Sequence, residues 1–463
     1  MTAPELVASA LADRLPKKLP GPWDLFVERS RGFEIHLEGD RVEMRRGPIE
    51  FEGFGLRLFR PAGGAMGIGP AASTDLSPES LQLAVEHAEA TAVRAPSPAK
   101  SIQLPRPASG PWPQVSVVDP ALWDRPEEAL EEYAQALLGP VGPAGAVQAS
   151  FGSVRAGLVE VSLANSEGLG AAYRHTLVDL EFAVKAFGGP EGRPPGEYWV
   201  TRQTRVIPRQ GVEEEVREWC RKAQDVRRAV PTPAGVQKVV FPTPVLADVL
   251  PAILGYRLSG DAAVRKMGPK AGDQVAIPGL FVTDDGLLPD APGSAPWDDE
   301  GTPHRSTRLL DEGRFLGPIL DSVFAGALGG VPTGNGHRGS THRFLTTPSP
   351  GVSTLVVAPG TGGSDAELIE AAGEGIWLEQ LGYAFPDGTT SAFGGEVRLG
   401  YRIHRGKLAE PIRGGTVGGA TFGPSETPPL LTSITSLGSR GRLVERLHAP
   451  SMLVTGFPVA GSG

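Results

Sequence analysis

Two histidines of this 463-residue chain, His337 and His342, stand five residues apart in the glycine-rich stretch GHRGSTH. Imidazole nitrogens bind zinc, but a zinc site also needs further ligands, supplied by His, Cys, Asp or Glu. No cysteine or carboxylate stands next to the pair in the sequence. The pair is therefore a candidate for metal chemistry, and a loop without metal is the preferred interpretation.

Two groups of carboxylates could bind a hard cation, which prefers oxygen ligands. They are Asp284-Asp285 and Asp298-Asp299-Glu300, on either side of an apparent loop. We interpret both groups as solvated turns, because charged residues are mostly exposed. Two other residues could act as nucleophiles, but Ser166 lies outside a GxSxG motif and Cys220 lies in a charged helical stretch. Neither predicts a catalytic site.

The composition argues against several classes of function. The net charge is −9 and no basic cluster stands out, which argues against binding to nucleic acid or to an anionic membrane. The single cysteine cannot form a disulfide within the chain, which fits a reducing cytoplasm. No run reaches the roughly 18 apolar residues that span a bilayer, and no signal-peptide pattern is visible. We therefore predict a cytoplasmic protein.

The elements that must position any site fall into four segments. Residues 1–95 combine short alternating strands, glycine turns and a capped helix, and residues 115–229 have the same α+β character. Six prolines indicate an extended linker over residues 96–114. Residues 230–463 are rich in strands and predict a large β-domain of barrel or sandwich type. The predicted fold class is α+β, with an N-terminal two-layer region of hairpins and helices before this domain.

One apolar stretch near the start of the β-domain, VLADVLPAILGYRLSGD at 245–261, reads as a helix. Its composition alone indicates a buried core helix. Proline removes a backbone donor and clashes with the preceding turn, so Pro251 should kink this helix or mark a break in it.

Three stretches of the β-domain resemble the TldD/PmbA family, in which PmbA is also called TldE. They are DDEGTP at 298–303, DEGRFLGPILDS at 311–322 and PTGNGHR at 332–338. Two further stretches are similar to the middle and the closing parts of the family, LANSEGLGAAYRHT at 163–176 and SMLVTGFPVAGSG at 451–463. The resemblance covers nearly the whole chain in the family's order.

The resemblance implies a zinc site whose ligands this chain lacks. TldD-type subunits carry HExxxH on a helix that ends near Gly-Asp, with a cysteine as third ligand in a loop near the C-terminus. Aligning LSGD at 258–261 with the family's LEGD puts Pro251 and Tyr256 at the two histidine positions, and Ala252 at the glutamate. Leu437 stands at the cysteine position. Proline and leucine cannot coordinate zinc, so we predict no catalytic residue, no metal and no cofactor in this chain.

The resemblance implies a zinc-free, non-catalytic subunit of a TldD/TldE-like cytoplasmic metallopeptidase complex that acts on extended or unfolded peptides. Such a subunit is either of the PmbA/TldE type or a degenerate TldD paralogue. Its partner would be a second copy or a TldD-type HExxxH subunit, and only such a catalytic subunit would hold zinc. Two alternatives remain open. One is an active metallopeptidase with relocated ligands, with His337 and His342 as the nearest candidates. The other is a peptide-binding scaffold without a peptidase partner.

A peptide substrate would add as a strand to a sheet edge, a mode that uses main-chain hydrogen bonds and tolerates varied side chains. Thr333, Gly334 and Asn335 are the candidates to line its cleft. The alternative for these three residues is a tight turn without a binding role.

Overall fold

A computed structural model describes residues 5–16, 19–107, 110–141, 146–188, 194–339 and 342–461. The helices in these ranges are α1 Val7–Ala12, α2 Pro78–Ala92, α3 Pro120–Asp124, α4 Pro126–Leu138, α5 Val212–Arg228, α6 Thr243–Ala247, α7 Leu250–Arg257, α8 Gly260–Val264, α9 Ser322–Leu328 and α10 Asp365–Ala372. The strands before residue 300 are β1 Trp23–Glu38, β2 Arg41–Ala62, β3 Ala65–Ser73, β4 Val147–Asn165, β5 Gly170–Ala186, β6 Gly196–Thr204, β7 Val230–Pro231, β8 Gly235–Phe241 and β9 Val282–Asp285. The later strands are β10 Ser306–Asp311, β11 Arg314–Phe315, β12 Gly336–His337, β13 Ser349–Pro350, β14 Leu355–Val357, β15 Gly375–Gly382, β16 Ala392–His404, β17 Lys407–Arg413, β18 Thr416–Ala420, β19 Ile434–Leu437, β20 Arg442–Val444, β21 Leu447–Ala449 and β22 Met452–Ala460.

The first sheet is antiparallel, with strand order β3-β2-β1-β4-β5-β6. Strand β1 comes from the predicted 1–95 segment and pairs with β4 from the 115–229 segment along most of its length. The two segments therefore share one sheet. Glycines with positive φ make its tight turns, at Gly39 before β2 and at Gly168 between β4 and β5, as glycine accepts left-handed backbone at no steric cost.

Helices cover one face of this sheet, and the C-terminal part of the chain packs against the other. Leu25 and Val27 belong to the core beneath α1 and α2, whereas Phe26 packs with Trp297 and Phe344 from the C-terminal part. Successive strand residues point to opposite faces, so this alternation buries both sides of β1. The face that carries Phe26 is the one that reaches the candidate site.

A closed five-stranded barrel forms the centre of the C-terminal part. Its strands follow the ring β8-β22-β18-β16-β15, and β15 closes the ring by pairing with β8. A second sheet, with order β11-β10-β9-β14-β21-β20, lies in the same part of the chain. The predicted α+β class with a barrel-like C-terminal domain is confirmed.

The predicted helix at 245–261 is three short helices, α6, α7 and α8. The break after α6 comes at Asp248 and Val249, and Pro251 occupies the first turn of α7, where its missing N–H has no partner to lose. The predicted break is thus confirmed. Leu250, Ile253 and Leu254 of α7 enter the core of the C-terminal part. No helix in the described ranges is long and apolar enough to cross a membrane.

Candidate functional site

Helix α7 carries the three positions at which the family resemblance places two zinc ligands and a base. Pro251 and Tyr256 are half-buried and Ala252 is exposed. The Tyr256 hydroxyl donates to Met267 Sδ at 3.6 Å, and its ring lies against Gly388, where an added Cβ would come within 2.9 Å of Tyr256 Cβ. Among these three side chains, the Tyr256 oxygen is the one atom that could bind a metal, and its hydroxyl is engaged with Met267.

The fourth position, Leu437, is buried in β19 and pairs with Met452 of β22. Its backbone carbonyl accepts from Gly362 N at 2.8 Å, and its Cβ lies against Gly360. Proline, alanine and leucine side chains offer no donor, and zinc requires N, O or S ligands. The residues at the four positions aligned with the family's zinc site therefore do not fit a zinc ion.

Metal ligands could also have moved elsewhere in the chain. Within the described ranges, no group of three or more His, Cys, Asp or Glu side chains is arranged to hold a metal ion. His337 and His342, the pair that the sequence offered, have different surroundings. His337 lies 5.6 Å from His304 between ring centroids, whereas His342 lies 4.3 Å from Phe51.

The candidate peptide-cleft residues form a hydrogen-bonded turn. The Thr333 hydroxyl accepts from Leu320 N at 2.7 Å and lies 2.7 Å from Asn335 Oδ1. Asn335 is 1% exposed, and its amide donates to Asp284 Oδ2 at 2.6 Å. Gly334 has φ +82°, a left-handed value that favours glycine. Their contact with a peptide stays a prediction, and the turn positions the residues that follow it.

The acidic groups are buried, so their interpretation as solvated turns is wrong for Asp284 and for 298–300. Asp298, Asp299 and Glu300 are 1%, 2% and 0% exposed. Backbone amides replace water around them. Asp298 accepts from the amides of Glu300, Thr302 and Gly336, and Asp299 accepts from Arg338 N at 2.7 Å. Buried charges need such partners, which the local sequence could not reveal.

Glu300 joins the C-terminal part to the first sheet through a buried arginine. Arg57, on β2, is 1% exposed. It donates to Glu300 Oε1 at 2.9 Å and forms an ion pair with Asp24 on β1. Glu300 also accepts from Ser322 N at 2.7 Å. This network fixes the 298–303 loop on the sheet, while Phe344 fills the space above Gly53 of β2.

A cleft of about 810 Å³ lies between the first sheet and the loops that run from β9 to β13. The sheet supplies one wall, with Tyr173 and His175 on β5. The loops supply the other, with Trp297, His304 and His337. The Tyr173 ring meets the Trp297 ring edge-on at 4.8 Å, so part of the wall is aromatic.

Three histidines of the cleft, His175, His304 and His337, are held neutral. Burial lowers the pKa of His304 to about 4 and that of His337 to about 3. Burial, and then the charges of Arg205 and Arg343, hold the pKa of His175 well below its usual range. Desolvation disfavours the charged form of a base. These imidazoles act as neutral hydrogen-bonding groups at physiological pH.

Five arginines line the same cleft: Arg155, Arg205, Arg338, Arg343 and Arg446. Arg343 forms an ion pair with Asp299. Arg205 bonds only to neutral groups: it lies 2.6 Å from His175 Nδ1 and donates to two backbone carbonyl oxygens. Burial, and then the charges of Arg343 and Arg446, lower the pKa of Arg205 to about 10. The guanidinium groups therefore lie close enough to repel one another.

Sequence reasoning missed the cleft because its walls are far apart in the chain. One signal was present. Tyr173 and His175 are separated by one residue in a strand, which puts them on one face, and both lie in the stretch 163–176 that resembles the family. Nothing local tied them to His304 or Arg446.

Two protein-family models match large parts of the chain. The model of the PmbA/TldA metallopeptidase C-terminal domain matches residues 234–461, and the model of PmbA/TldA metallopeptidase domain 1 matches residues 23–92. The chain belongs to the PmbA/TldD family. The matched ranges include the barrel, α7 and β19, as well as β1 to β3 of the first sheet.

Individual relatives support the assignment. A metalloprotease TldD homolog of Haemophilus influenzae is 30% identical over 207 residues, which cover 44% of this chain and 42% of the relative. A metalloprotease of Methanothermobacter thermautotrophicus is 25% identical, over 57% of this chain and 54% of the relative. The chain thus spans about half the length of the curated relatives that it matches.

Solved structures share the fold over the whole chain. TldE from Thermococcus kodakarensis superposes with a TM-score of 0.78 at 19% identity, covering 99% of this chain and 100% of that protein. A Thermotoga maritima protein superposes with a TM-score of 0.82, also at 19% identity, over 98% of this chain and 100% of its own. The predicted family membership is confirmed.

Proposed function

We propose that this chain is the zinc-free, non-catalytic subunit of a PmbA/TldD-type metallopeptidase complex. One observation carries the proposal: three side chains have no atom that could bind zinc or accept a proton. Pro251 stands at the position of the first histidine, Ala252 at that of the glutamate and Leu437 at that of the cysteine. The hydroxyl of Tyr256 bonds to Met267 instead. A zinc peptidase needs ligands that leave a position open for water, and a base for that water. Neither requirement is met at α7.

The proposed substrate is an extended or unfolded peptide. The relatives named as metalloproteases support a peptide substrate, and the fold shared with TldE supports a role beside a TldD-type subunit. A cleft of about 810 Å³ is large enough for several residues of a peptide. We place the complex in the cytoplasm, because the single cysteine fits a reducing compartment.

The test measures zinc and activity together. The purified chain should contain no stoichiometric zinc and should not cleave an unstructured peptide. A paralogue that carries HExxxH, from the same genome, should co-purify with it, and the pair should cleave the peptide in a chelator-sensitive reaction.

Two results would reject the proposal. One is stoichiometric zinc in the isolated chain together with chelator-sensitive hydrolysis, which would establish an active peptidase with other ligands. The other is the absence of any HExxxH paralogue that binds the chain, which would leave a peptide-binding scaffold.

A further inference from the structure

Two residues that line the cleft each have a buried polar atom without a partner among the described residues. Trp297 is 1% exposed and its Nε1–H has no acceptor among the described residues. His304 is 3% exposed, and its Nδ1 bonds to Gly286 O at 3.1 Å. Because a carbonyl only accepts, Nδ1 carries the proton and Nε2 is an acceptor, which also lacks a partner within the described ranges. Unsatisfied buried groups are rare in native structures.

His175 adds a second mismatch. Its Nδ1 lies 2.6 Å from Arg205 Nη1 and its Nε2 lies 3.4 Å from Arg343 Nη1. A guanidinium can only donate, and a neutral imidazole has one acceptor nitrogen. If Nδ1 accepts from Arg205, Nε2 carries a proton that faces another donor. An oxygen acceptor beside this pair, within hydrogen-bond distance of both nitrogens, would satisfy His175 and Arg343 together.

The charges of the cleft favour an anion there. No carboxylate of the described residues forms an ion pair with Arg205 or Arg446, whereas Arg343 pairs with Asp299. Arg446 is solvent-accessible and donates only a long bond, 3.5 Å, to Val352 O. An oxyanion near these groups would offset their mutual repulsion and accept charge-assisted hydrogen bonds.

Three carboxylates that line the cleft have partners or surroundings of their own. Asp299 pairs with Arg343, Asp298 accepts from three backbone amides, and burial, ahead of any charge, raises the pKa of Glu28. Arg205 and Arg446 therefore remain without a carboxylate partner among the described residues.

A free inorganic anion would fill only a small part of a cleft of about 810 Å³. The C-terminal end of a peptide has an α-carboxylate for the arginines, and the residues that precede it can extend along the rest of the cleft.

We propose that this cleft binds the C-terminal end of a peptide, with its α-carboxylate between His175, Arg343 and Arg446. The inference rests on the proposed function for its ligand class, but not on the loss of zinc. The described residues that line the cleft include none from α7, so the chain would hold a peptide end with residues other than those at the positions aligned with the zinc ligands.

The test compares two matched peptides on the full-length chain. Both are N-acetylated ten-residue Gly/Ser peptides that end in Gly-Leu; one has a free carboxylate and the other a C-terminal amide. Binding is measured by titration calorimetry. Charge-assisted hydrogen bonds predict that the free acid binds about 10-fold to 100-fold more tightly than the amide.

Two variants with the same substitution locate the site. Arg446→Gln should weaken binding of the free acid by about 10-fold and leave the amide unaffected. Arg442→Gln is the control, since Arg442 lies four residues away with a side chain that is 62% exposed. It should bind both peptides as the native chain does. Near-native circular dichroism of both variants excludes misfolding.

The possible outcomes distinguish this inference from the proposed function. Equal affinity for acid and amide, or no effect of Arg446→Gln, overturns this inference and leaves the zinc-free assignment standing. Full displacement of the peptide by equimolar inorganic phosphate shows a general oxyanion site and overturns the peptide class. Failure of both peptides to bind overturns the inference as well. Zinc-dependent hydrolysis with intact discrimination of the carboxylate rejects the proposed function alone.

Discussion

Replacing Arg57 by methionine should destabilise the protein severely. The substitution keeps a long apolar stem but removes the guanidinium that lies between Asp24 and Glu300. Arg57 is 1% exposed and both carboxylates are fully buried. Glu300 would keep its bond from Ser322 N at 2.7 Å, and Asp24 would keep a longer ion pair with Arg338 at 3.9 Å, whereas both carboxylates would lose their ion pair with Arg57. Removing one partner of a buried ion pair costs about 3–5 kcal/mol.

Differential scanning calorimetry measures this loss. A change of 1 kcal/mol moves the midpoint of thermal unfolding by about 2–4 °C in a cooperative unit of 150–250 residues, so Arg57→Met should lower it by about 6–20 °C. Arg29→Met is the matched control on β1, because Arg29 pairs with Glu5 and Glu52 at the exposed surface. Exposed pairs contribute about 0–1 kcal/mol.

A further variant tests the physical reason. Adding Asp24→Asn and Glu300→Gln to Arg57→Met removes the unpaired charges and should recover part of the lost stability. If Arg57→Met unfolds within about 2 °C of Arg29→Met, the buried network does not hold the two parts of the chain together as described.

Three further predictions concern packing, pH and metal. Gly53→Ala should lower the free energy of unfolding, measured with denaturant, by about 1–3 kcal/mol, because the new Cβ would lie 2.3 Å from the Phe344 ring. Gly157→Ala is the control and should lower it much less, because the nearest neighbour of its new Cβ is at 3.7 Å. Equal losses in the two variants would contradict the packing described for Phe344. The pKa of His304 is about 4 in the fold and about 6.5 in the unfolded chain. As pH falls from about 6.5 to 4, the unfolded state therefore binds a proton that the folded state does not, and the free energy of unfolding decreases by up to about 3 kcal/mol. Above about pH 6.5 this contribution to stability is fully present. His304→Asn should show a smaller decrease, and an unchanged pH profile would refute this cause. Dialysis against EDTA should leave the midpoint of thermal unfolding unchanged and added Zn²⁺ should not raise it, since a ligand stabilises only by binding the folded state; a zinc-dependent rise would indicate a metal site.

Local sequence patterns predicted the features that local chemistry determines. Alternation and glycine turns predicted the hairpins of the first sheet, and Pro251 predicted the break between α6 and α7. Both depend on a residue and its immediate neighbours, because proline restricts its own φ and removes its own donor.

The buried carboxylates could not be predicted in this way. Asp298 and Glu300 look like a solvated turn in sequence, since the partners that tie them to the rest of the fold, Gly336 and Arg57, lie far along the chain. The cleft has the same origin: His175 and Arg446 line one cleft only when the first sheet packs against the C-terminal part. The family resemblance directed attention to Pro251, Ala252, Tyr256 and Leu437 but gave no indication of the cleft.

The closed barrel has a consequence for the order in which the chain folds during synthesis. Strand β22, at Met452–Ala460, pairs with both β8 and β18, so the ring stays open until those residues have been made. The first sheet needs nothing beyond Thr204 for its six strands and can form while the barrel strands are still being added, as N-terminal units commonly do. Until β22 arrives, β8 and β18 each have an unpaired edge, which is a site for aggregation. A ribosome that stalls late in the message would therefore release a chain with a folded first sheet and an open, association-prone barrel.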